Sequence, residues 1–455
     1  MIRKNIIWIL GIIVLLIISI MLIFSLNKRD ELKTNNIEAT VLTIKNGEMT
    51  VQDKDNIIYT FGIEDASADI GENINIEYTG LLDKNKNMQN VKVIGYKTVS
   101  TTANENGIPS DWLDNGIFSD FYILANNKLK ELSLDEKIGQ LFLVRYPDSN
   151  AITDLIKYKF GGYVFYEKNF TNKTQKEVKD MINKLQKVAN IPILTAVDEE
   201  GGKVVRISSN PNLVSEKFKS SKELYNLGGF DKIKQDTIEK SEILNNLGIN
   251  LNLAPVVDVS NNPSDYMYER AFGQNTELTS TYSKTVIEAS KGTGVSYTLK
   301  HFPGYGNNSD THSGSSVDTR TYDEIVNNDL PPFKSGINVG AEAVLVSHNI
   351  VNSIDSSNPA SLSSSIHNLL RNELGFTGII ITDDLAMSAV SSIDNAVVKA
   401  ILAGNDLIIT TDYENDIKAV KTAIEDGTID ENLINKLSFR VLAWKYYKGI
   451  MFDEK

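Results

Sequence analysis

Eight short, mostly apolar runs, each followed by a stretch of helical periodicity, dominate the sequence from Leu132 onward and leave the chain few folds to choose from. They occupy 140–145, 162–166, 191–197, 249–257, 295–299, 343–347, 378–382 and 406–410. Runs of this length suit strands covered on both faces, and their alternation with helices marks repeated β/α units around a parallel sheet. Eight units in about 320 residues, with none left over, predict an α/β chain closed as a (β/α)8 TIM-type barrel. A doubly wound sheet is the alternative. Against it, no G-x-G-x-x-G follows the first run and no G-x-x-x-x-G-K-[ST] occurs anywhere.

A barrel of this kind carries its chemistry at the C-terminal ends of its strands, and polar residues gather there. Asp198-Glu199-Glu200-Gly201-Gly202 follows the third run, with Arg206 downstream. Asp258 and then Glu269-Arg270-Ala271-Phe272-Gly273 follow the fourth. The fifth leads into a Gly-rich loop, Lys300-His301-Phe302-Pro303-Gly304-Tyr305-Gly306, and on to Asp310-Thr311-His312. The sixth is followed by His348-Asn349 and the seventh by Asp383-Asp384-Leu385-Ala386-Met387. Two of the chain's 4 histidines fall on the loop after the fifth run, and imidazole is the side chain whose unperturbed pKa lies nearest working pH.

Composition narrows the function classes. With 455 residues, 41% of them hydrophobic and 23% charged, the chain has room for a large core and an accessory module. A formal net charge of −13 repels phosphate backbones, so nucleic acid is not an expected partner. The absence of Cys excludes a thiolate zinc site, a cysteine nucleophile and a lipid-anchored cysteine. No metal and no cofactor are expected, and the chain is expected to be a monomer.

Upstream of the barrel the sequence divides into three parts. Arg3 and Lys4 precede an uncharged run, 6–26, which as a helix would be about 30 Å long and could span a bilayer. No A-x-A-like cleavage site follows, so 1–29 reads as a retained signal anchor, a single-pass transmembrane helix with the bulk of the chain outside the cell. Segment 37–98 alternates apolar and polar residues around the hairpin signal Asn46-Gly47 and reads as a small all-β module. It carries no nucleophile, and a spacer or wall-contact role is expected. Segment 99–115 contains Asn106-Gly107 and Pro109 and reads as a linker, leaving 116–455 for the barrel.

The linked motifs of the barrel resemble glycoside hydrolase family 3, and within it the single-domain β-N-acetylglucosaminidase branch. The resemblance runs from about Leu132 to Leu442 and rests on Leu134 to Gln140, Asp198 to Gly202, Glu269 to Gly273, Lys300 to Gly306, Asp310 to His312, Ala360 to Ser363, and Gly375 to Asp383. It implies a (β/α)8 barrel. It also implies that Asp383 is a carboxylate nucleophile forming a covalent glycosyl-enzyme intermediate, and that Asp310 and His312 form an Asp-x-His acid/base dyad. Asp198, Arg206, Arg270, Lys300 and His301 would hold the hydroxyl groups of the terminal sugar, while Phe302 and Met387 read as packing residues.

That resemblance makes terminal β-linked GlcNAc of cell-wall glycan or muropeptides the expected carbohydrate substrate. Two departures stand out. Tyr305 occupies the place of a second histidine usual in the branch, and the connection from Gly306 to Asp310 is one residue shorter than the common spacing. Phosphorolysis, another family 3 β-glycosidase specificity, and an anchored glycan-binding barrel without catalysis are the alternatives. An adjacent Asp pair such as Asp383-Asp384 could also ligate a metal or cap a helix.

Overall fold

The computed structural model describes residues 34–45, 48–53, 57–62, 73–82, 88–98 and 106–452. The chain divides into two compact units, 1–104 and 105–455. The apolar run 6–26, and with it the expected signal anchor 1–29, lies outside the described residues. Among the described residues no helix is long and apolar enough to cross a membrane.

The first unit is a five-stranded antiparallel sheet of β1 (Thr34–Lys45), β2 (Glu48–Asp53), β3 (Ile58–Gly62), β4 (Asn73–Leu82) and β5 (Met88–Thr98), in the order β3-β2-β1-β4-β5. Lys45 pairs with Glu48, so β1 and β2 flank Asn46-Gly47, itself outside the described residues. The period-2 pattern of the sequence becomes a one-sided core. Val41, Met49, Val51, Phe61, Ile74 and Ile76 are buried together while Thr43, Thr60 and Glu77 face outward.

The second unit contains eight parallel strands, β6 (Phe142–Arg145), β7 (Gly162–Phe165), β8 (Leu194–Val197), β9 (Leu251–Asn252), β10 (Ser296–Phe302), β12 (Ala343–Val346), β14 (Ile379–Thr382) and β15 (Ile408–Thr410). Two-residue strands β11 (Val317–Asp318) and β13 (Ile350–Val351) form a separate parallel pair. The eight are hydrogen-bonded in the order β14-β12-β10-β9-β8-β7-β6-β15. A single bridge, Ile381 to Leu407, joins the two ends, so the sheet is a nearly closed, TIM-like barrel.

Strand alternation sorts the apolar residues into two layers. Leu143, Val164, Ala196, Leu345, Ile381 and Ile409 form an inner core together with Phe439 and Trp444 of the last helix, Glu431–Tyr447. Phe142, Val144, Phe165, Val197, Val346 and Ile380 face the outer helices instead. Four of the helices begin with the same reciprocal cap, Ser133 with Glu136, Thr174 with Glu177, Ser220 with Glu223, and Thr321 with Glu324. Each such cap satisfies orphan backbone N–H groups and is worth about 1 kcal/mol.

Two expectations need correction. Of the stretch read as a linker, Ile108 and Trp112 are buried in the inner-core cluster, with Trp112 against Phe439 at 5.5 Å, so 106–115 is part of the barrel unit. Polar turn residues around two isolated apolar ones hid this. The fifth strand also runs three residues past its expected end, so Lys300 and His301 stand in β10 and not on the loop. Backbone pairing continues because Val257 N–H donates to Lys300 O and Ser347 N–H to Phe302 O, and the buried polar side chains of Lys300 and His301 find partners.

Candidate active site

A cavity of about 490 Å³ opens at the C-terminal ends of the barrel strands, within the roughly 300–1,000 Å³ range of small-molecule sites. Asp198, Arg206, Arg270, Lys300, His301, His312 and Asp383 all line it, joined by Arg145, Tyr166, Tyr266, Asp384 and Met387. Asp310 stands directly behind His312. The structure therefore brings seven of the eight candidate residues to one wall or another of a single cavity and holds the eighth against one of them.

Lys300 rises from the end of β10 between two carboxylates. Its Nζ lies 2.8 Å from Asp198 Oδ1 and 2.7 Å from Glu200 Oε1. Glu200 also accepts from Arg270, Nη2 to Oε1 at 2.7 Å and Nε to Oε2 at 3.1 Å. Burial would raise the Glu200 carboxyl, but Arg270 and Lys300 outweigh it and hold the group far below the usual carboxylate range. Burial acts the same way on Asp198, where Lys300 and Arg206 prevail and keep the carboxyl ionised. Arg206 Nη2 lies 3.5 Å from Asp198 Oδ2, and its buried Nε has no partner among the described residues.

His301 is fixed from behind. Its Nδ1 lies 2.8 Å from Asp258 Oδ2, and its Nε2 lies 3.3 Å from Arg270 Nη2. A carboxylate partner at Nδ1 places the ring proton there, because the carboxylate can only accept. Asp258 Oδ1 takes a further bond from Tyr305 N–H at 2.7 Å. Phe302, fully buried, packs edge-on to Phe333 with ring centroids 5.1 Å apart, and Met387 is buried at the cavity wall.

Asp383 follows β14 directly. Its N–H donates to Val346 O at 3.0 Å, and its Oδ1 accepts from Asp384 N–H at 2.9 Å. Asp384 Oδ1 accepts from Ala386 N–H at 2.9 Å, so this second carboxyl braces the turn. Burial, helped by the neighbouring Asp383, pushes the Asp384 carboxyl up. His348 supports the same turn, with Nε2 3.0 Å from Asp384 O and Nδ1 2.7 Å from Ser361 Oγ. Burial lowers the His348 pKa and keeps the ring neutral, so Nε2–H donates to the carbonyl.

On the loop after β10, His312 Nδ1 lies 2.7 Å from Asp310 Oδ1, which also accepts from His312 N–H at 2.9 Å. The His312 side chain is 63% exposed, so its Nε2 edge is free to meet a ligand entering from solvent. Burial would raise the Asp310 carboxyl, but its hydrogen bonds from His312 and Tyr266 hold it down.

The sequence reading passed over Glu200, which is more deeply placed than Asp198. A period-2 argument would have found it, because in an extended segment Asp198 and Glu200 point one way and Glu199 the other. Glu199 does point away, accepting from the backbone N–H groups of Arg206 and Ile207. Arg145 and Tyr166 carry a related signal at the ends of the first two strands, where the guanidinium lies 4.1 Å from the ring centroid. Tyr266 lies on an irregular segment whose sequence carries no such sign.

Comparison with known proteins places this geometry in a family. The model of the glycosyl hydrolase family 3 N-terminal domain matches residues 133–444. The chain is 31% identical over 269 residues to the β-hexosaminidase LpqI of Mycobacterium tuberculosis, covering 56% of this chain and 68% of that protein. It is 30% identical over 307 residues to a β-hexosaminidase of Xylella fastidiosa, covering 64% and 87%. Among solved structures it is similar to a family 3 β-N-acetylglucosaminidase of Paenibacillus, with TM-score 0.66 and 29% identity. That match covers 71% of this chain and 64% of the Paenibacillus chain, less than two thirds of its length. The solved M. tuberculosis LpqI matches with TM-score 0.64 and 28% identity, over 70% of this chain and 95% of that one. The chain belongs to glycoside hydrolase family 3.

Proposed function

We propose that the barrel is a retaining, exo-acting β-N-acetylglucosaminidase that removes terminal β-linked GlcNAc through a covalent glycosyl-aspartate intermediate. The observation that carries this reading is that Asp383 and His312, the latter held by Asp310, line one sugar-sized cavity. Asp383 attacks the anomeric carbon as the C–O bond to the leaving group breaks. His312, its Nδ1 held by Asp310, gives a proton from Nε2 to the departing oxygen. It then takes one from the water that releases the sugar.

Asp198, Arg206, Lys300, His301 and Arg270 form the sugar-holding wall. A hexose hydroxyl both donates and accepts, and the wall supplies carboxylate oxygens beside guanidinium and ammonium donors. The names of the relatives, β-hexosaminidase and β-N-acetylglucosaminidase, favour an N-acetylated amino sugar. Cell-wall fragments are the proposed source of substrate, reached by a barrel held outside the membrane by the N-terminal apolar segment.

The test is hydrolysis of methyl β-N-acetylglucosaminide, whose leaving oxygen needs a proton, with and without phosphate, by the wild type, Asp383→Asn and His312→Ala. Release of free GlcNAc by the wild type and its loss in both variants is the expected result. Full activity in either variant would refute the mechanism, and a product appearing as the sugar 1-phosphate would replace hydrolysis by phosphorolysis.

A further inference from the structure

The loop that carries the dyad is tied down at its centre. Thr311 lies between two exposed or half-exposed residues, yet is itself fully buried. Its N–H donates to the Tyr305 hydroxyl at 3.0 Å, and its Oγ1 lies 2.8 Å from that same hydroxyl. Its carbonyl accepts from Ala389 N–H at 3.2 Å, on the segment that follows Asp383. The Tyr305 ring is 3% exposed, sits 5.7 Å from both the Tyr266 and His301 rings, and has its N–H on Asp258. Tyr305 thus reaches six residues along the chain to the loop tip while its N–H rests on Asp258, the carboxylate that holds His301.

We propose that Tyr305 is a positioning residue for acid/base catalysis, a latch whose hydroxyl holds Thr311, and through it Asp310 and His312, against the rim of the sugar-binding wall. The inference rests on the reading of His312 as the proton carrier. The side chains of Asp310 and His312 have few other anchors. Asp310 has Tyr266 and His312, and the His312 side chain has Asp310 as its hydrogen-bond partner among the described residues. Without the Tyr305 hydroxyl, the buried Thr311 N–H and Oγ1 lose their partner, and the most direct relief is for the loop tip to lift toward water. The sugar wall would stay in place, because Phe at 305 keeps the ring contacts with Tyr266 and His301.

A loosened latch should therefore weaken proton delivery and spare sugar binding. In the full chain, kcat/KM would be measured for Tyr305→Phe, Thr311→Val and Thr311→Ser on two β-N-acetylglucosaminides. One carries a 2,4-dinitrophenyl group that leaves without a proton, the other a methyl group that needs one. Tyr305→Phe is expected to lose about tenfold or more on the methyl glycoside, part of the 10²–10⁴ that acid/base groups supply, and about twofold or less on the dinitrophenyl one. Thr311→Val should lie between, and Thr311→Ser, which keeps the hydroxyl, should match the wild type. Amide hydrogen exchange of the peptide spanning 306–316 should speed up by about tenfold in Tyr305→Phe, as local opening becomes cheaper.

Equal losses on both substrates, or no loss and unchanged exchange, would overturn the latch while leaving the reaction assignment intact, provided that Asp383→Asn is inactive. An Asp383→Asn variant as active as the wild type would overturn the reaction assignment itself.

Discussion

Glu200→Gln tests the electrostatic frame of the site. The Glu200 side chain is 4% exposed and receives Lys300 Nζ at 2.7 Å, Arg270 Nη2 at 2.7 Å and Arg270 Nε at 3.1 Å. Gln preserves the shape but removes the charge, and one of its two terminal groups becomes an N–H₂ donor facing other donors. Arg270 is left without a carboxylate partner, and Lys300, 3% exposed, keeps Asp198 alone. Removing one partner of a buried ionic network costs about 3–5 kcal/mol. For a unit of about 350 residues, with unfolding entropy near 2.1 cal/mol/K per residue, each kcal/mol lowers Tm by about 1.4 °C, or about 4–7 °C in all.

The pH dependence has a definite sign. The folded pKa of Glu200 is depressed below an unfolded value of about 4.3. Its contribution is complete above the unfolded pKa and is lost as pH falls through the folded one. The Tm gap between wild type and Glu200→Gln should therefore be widest above about pH 5 and close on acidification. Displacement of Lys300 and Arg270 in the proposed sugar wall should lower kcat/KM by about 10²-fold, the cost of misplacing positioning groups by roughly 1 Å. Scanning calorimetry from pH 3 to 8 with steady-state assays measures both. A variant within about 1 °C of wild type at pH 7 and within about threefold in kcat/KM would refute the reasoning.

Further outcomes follow from other parts of the unit. His312→Ala should lose about 10²–10⁴ in kcat/KM on substrates with poor leaving groups, with a much smaller loss on a dinitrophenyl glycoside in the same assay. Lys445 is fully buried at the last helix with Gln140 Oε1 at 2.6 Å, and burial pushes its pKa down to about 7. The unfolded chain then binds more protons between about pH 7 and 10, so wild-type stability rises with pH across that window. Lys445→Met should raise Tm at pH 7 and lose that advantage toward pH 10 in thermal melts. A Cβ at Gly162, in β7, would collide with the Leu194 carbonyl oxygen. Gly162→Ala should cost about 1–3 kcal/mol in denaturant unfolding with kcat unchanged.

The barrel was legible because its strands obey a rule that sequence displays: every observed strand of the eight starts inside a run predicted from apolar content. β10 ended late because Lys300 and His301 look like loop residues until their buried partners Asp198, Glu200 and Asp258 are known. Those partners come from strands far away in the chain, and no local pattern encodes them. The same holds for Tyr305, whose departure from the expected histidine gave no hint that its hydroxyl would meet Thr311. Ile108 and Trp112 were obscured by turn-forming neighbours, although a buried tryptophan contributes several kcal/mol when it finds a core.

Trapping the intermediate tests the central claim most directly. His312→Ala should be charged by a dinitrophenyl β-N-acetylglucosaminide, whose departure needs no proton, and then discharged slowly for want of a base. Quenching in acid, digestion and peptide mass spectrometry should find one N-acetylhexosaminyl adduct, on the peptide containing Asp383 and absent in the double variant with Asp383→Asn. An adduct on another carboxylate, or turnover with no adduct and an inverted anomeric product, would contradict the assignment of Asp383 as the nucleophile.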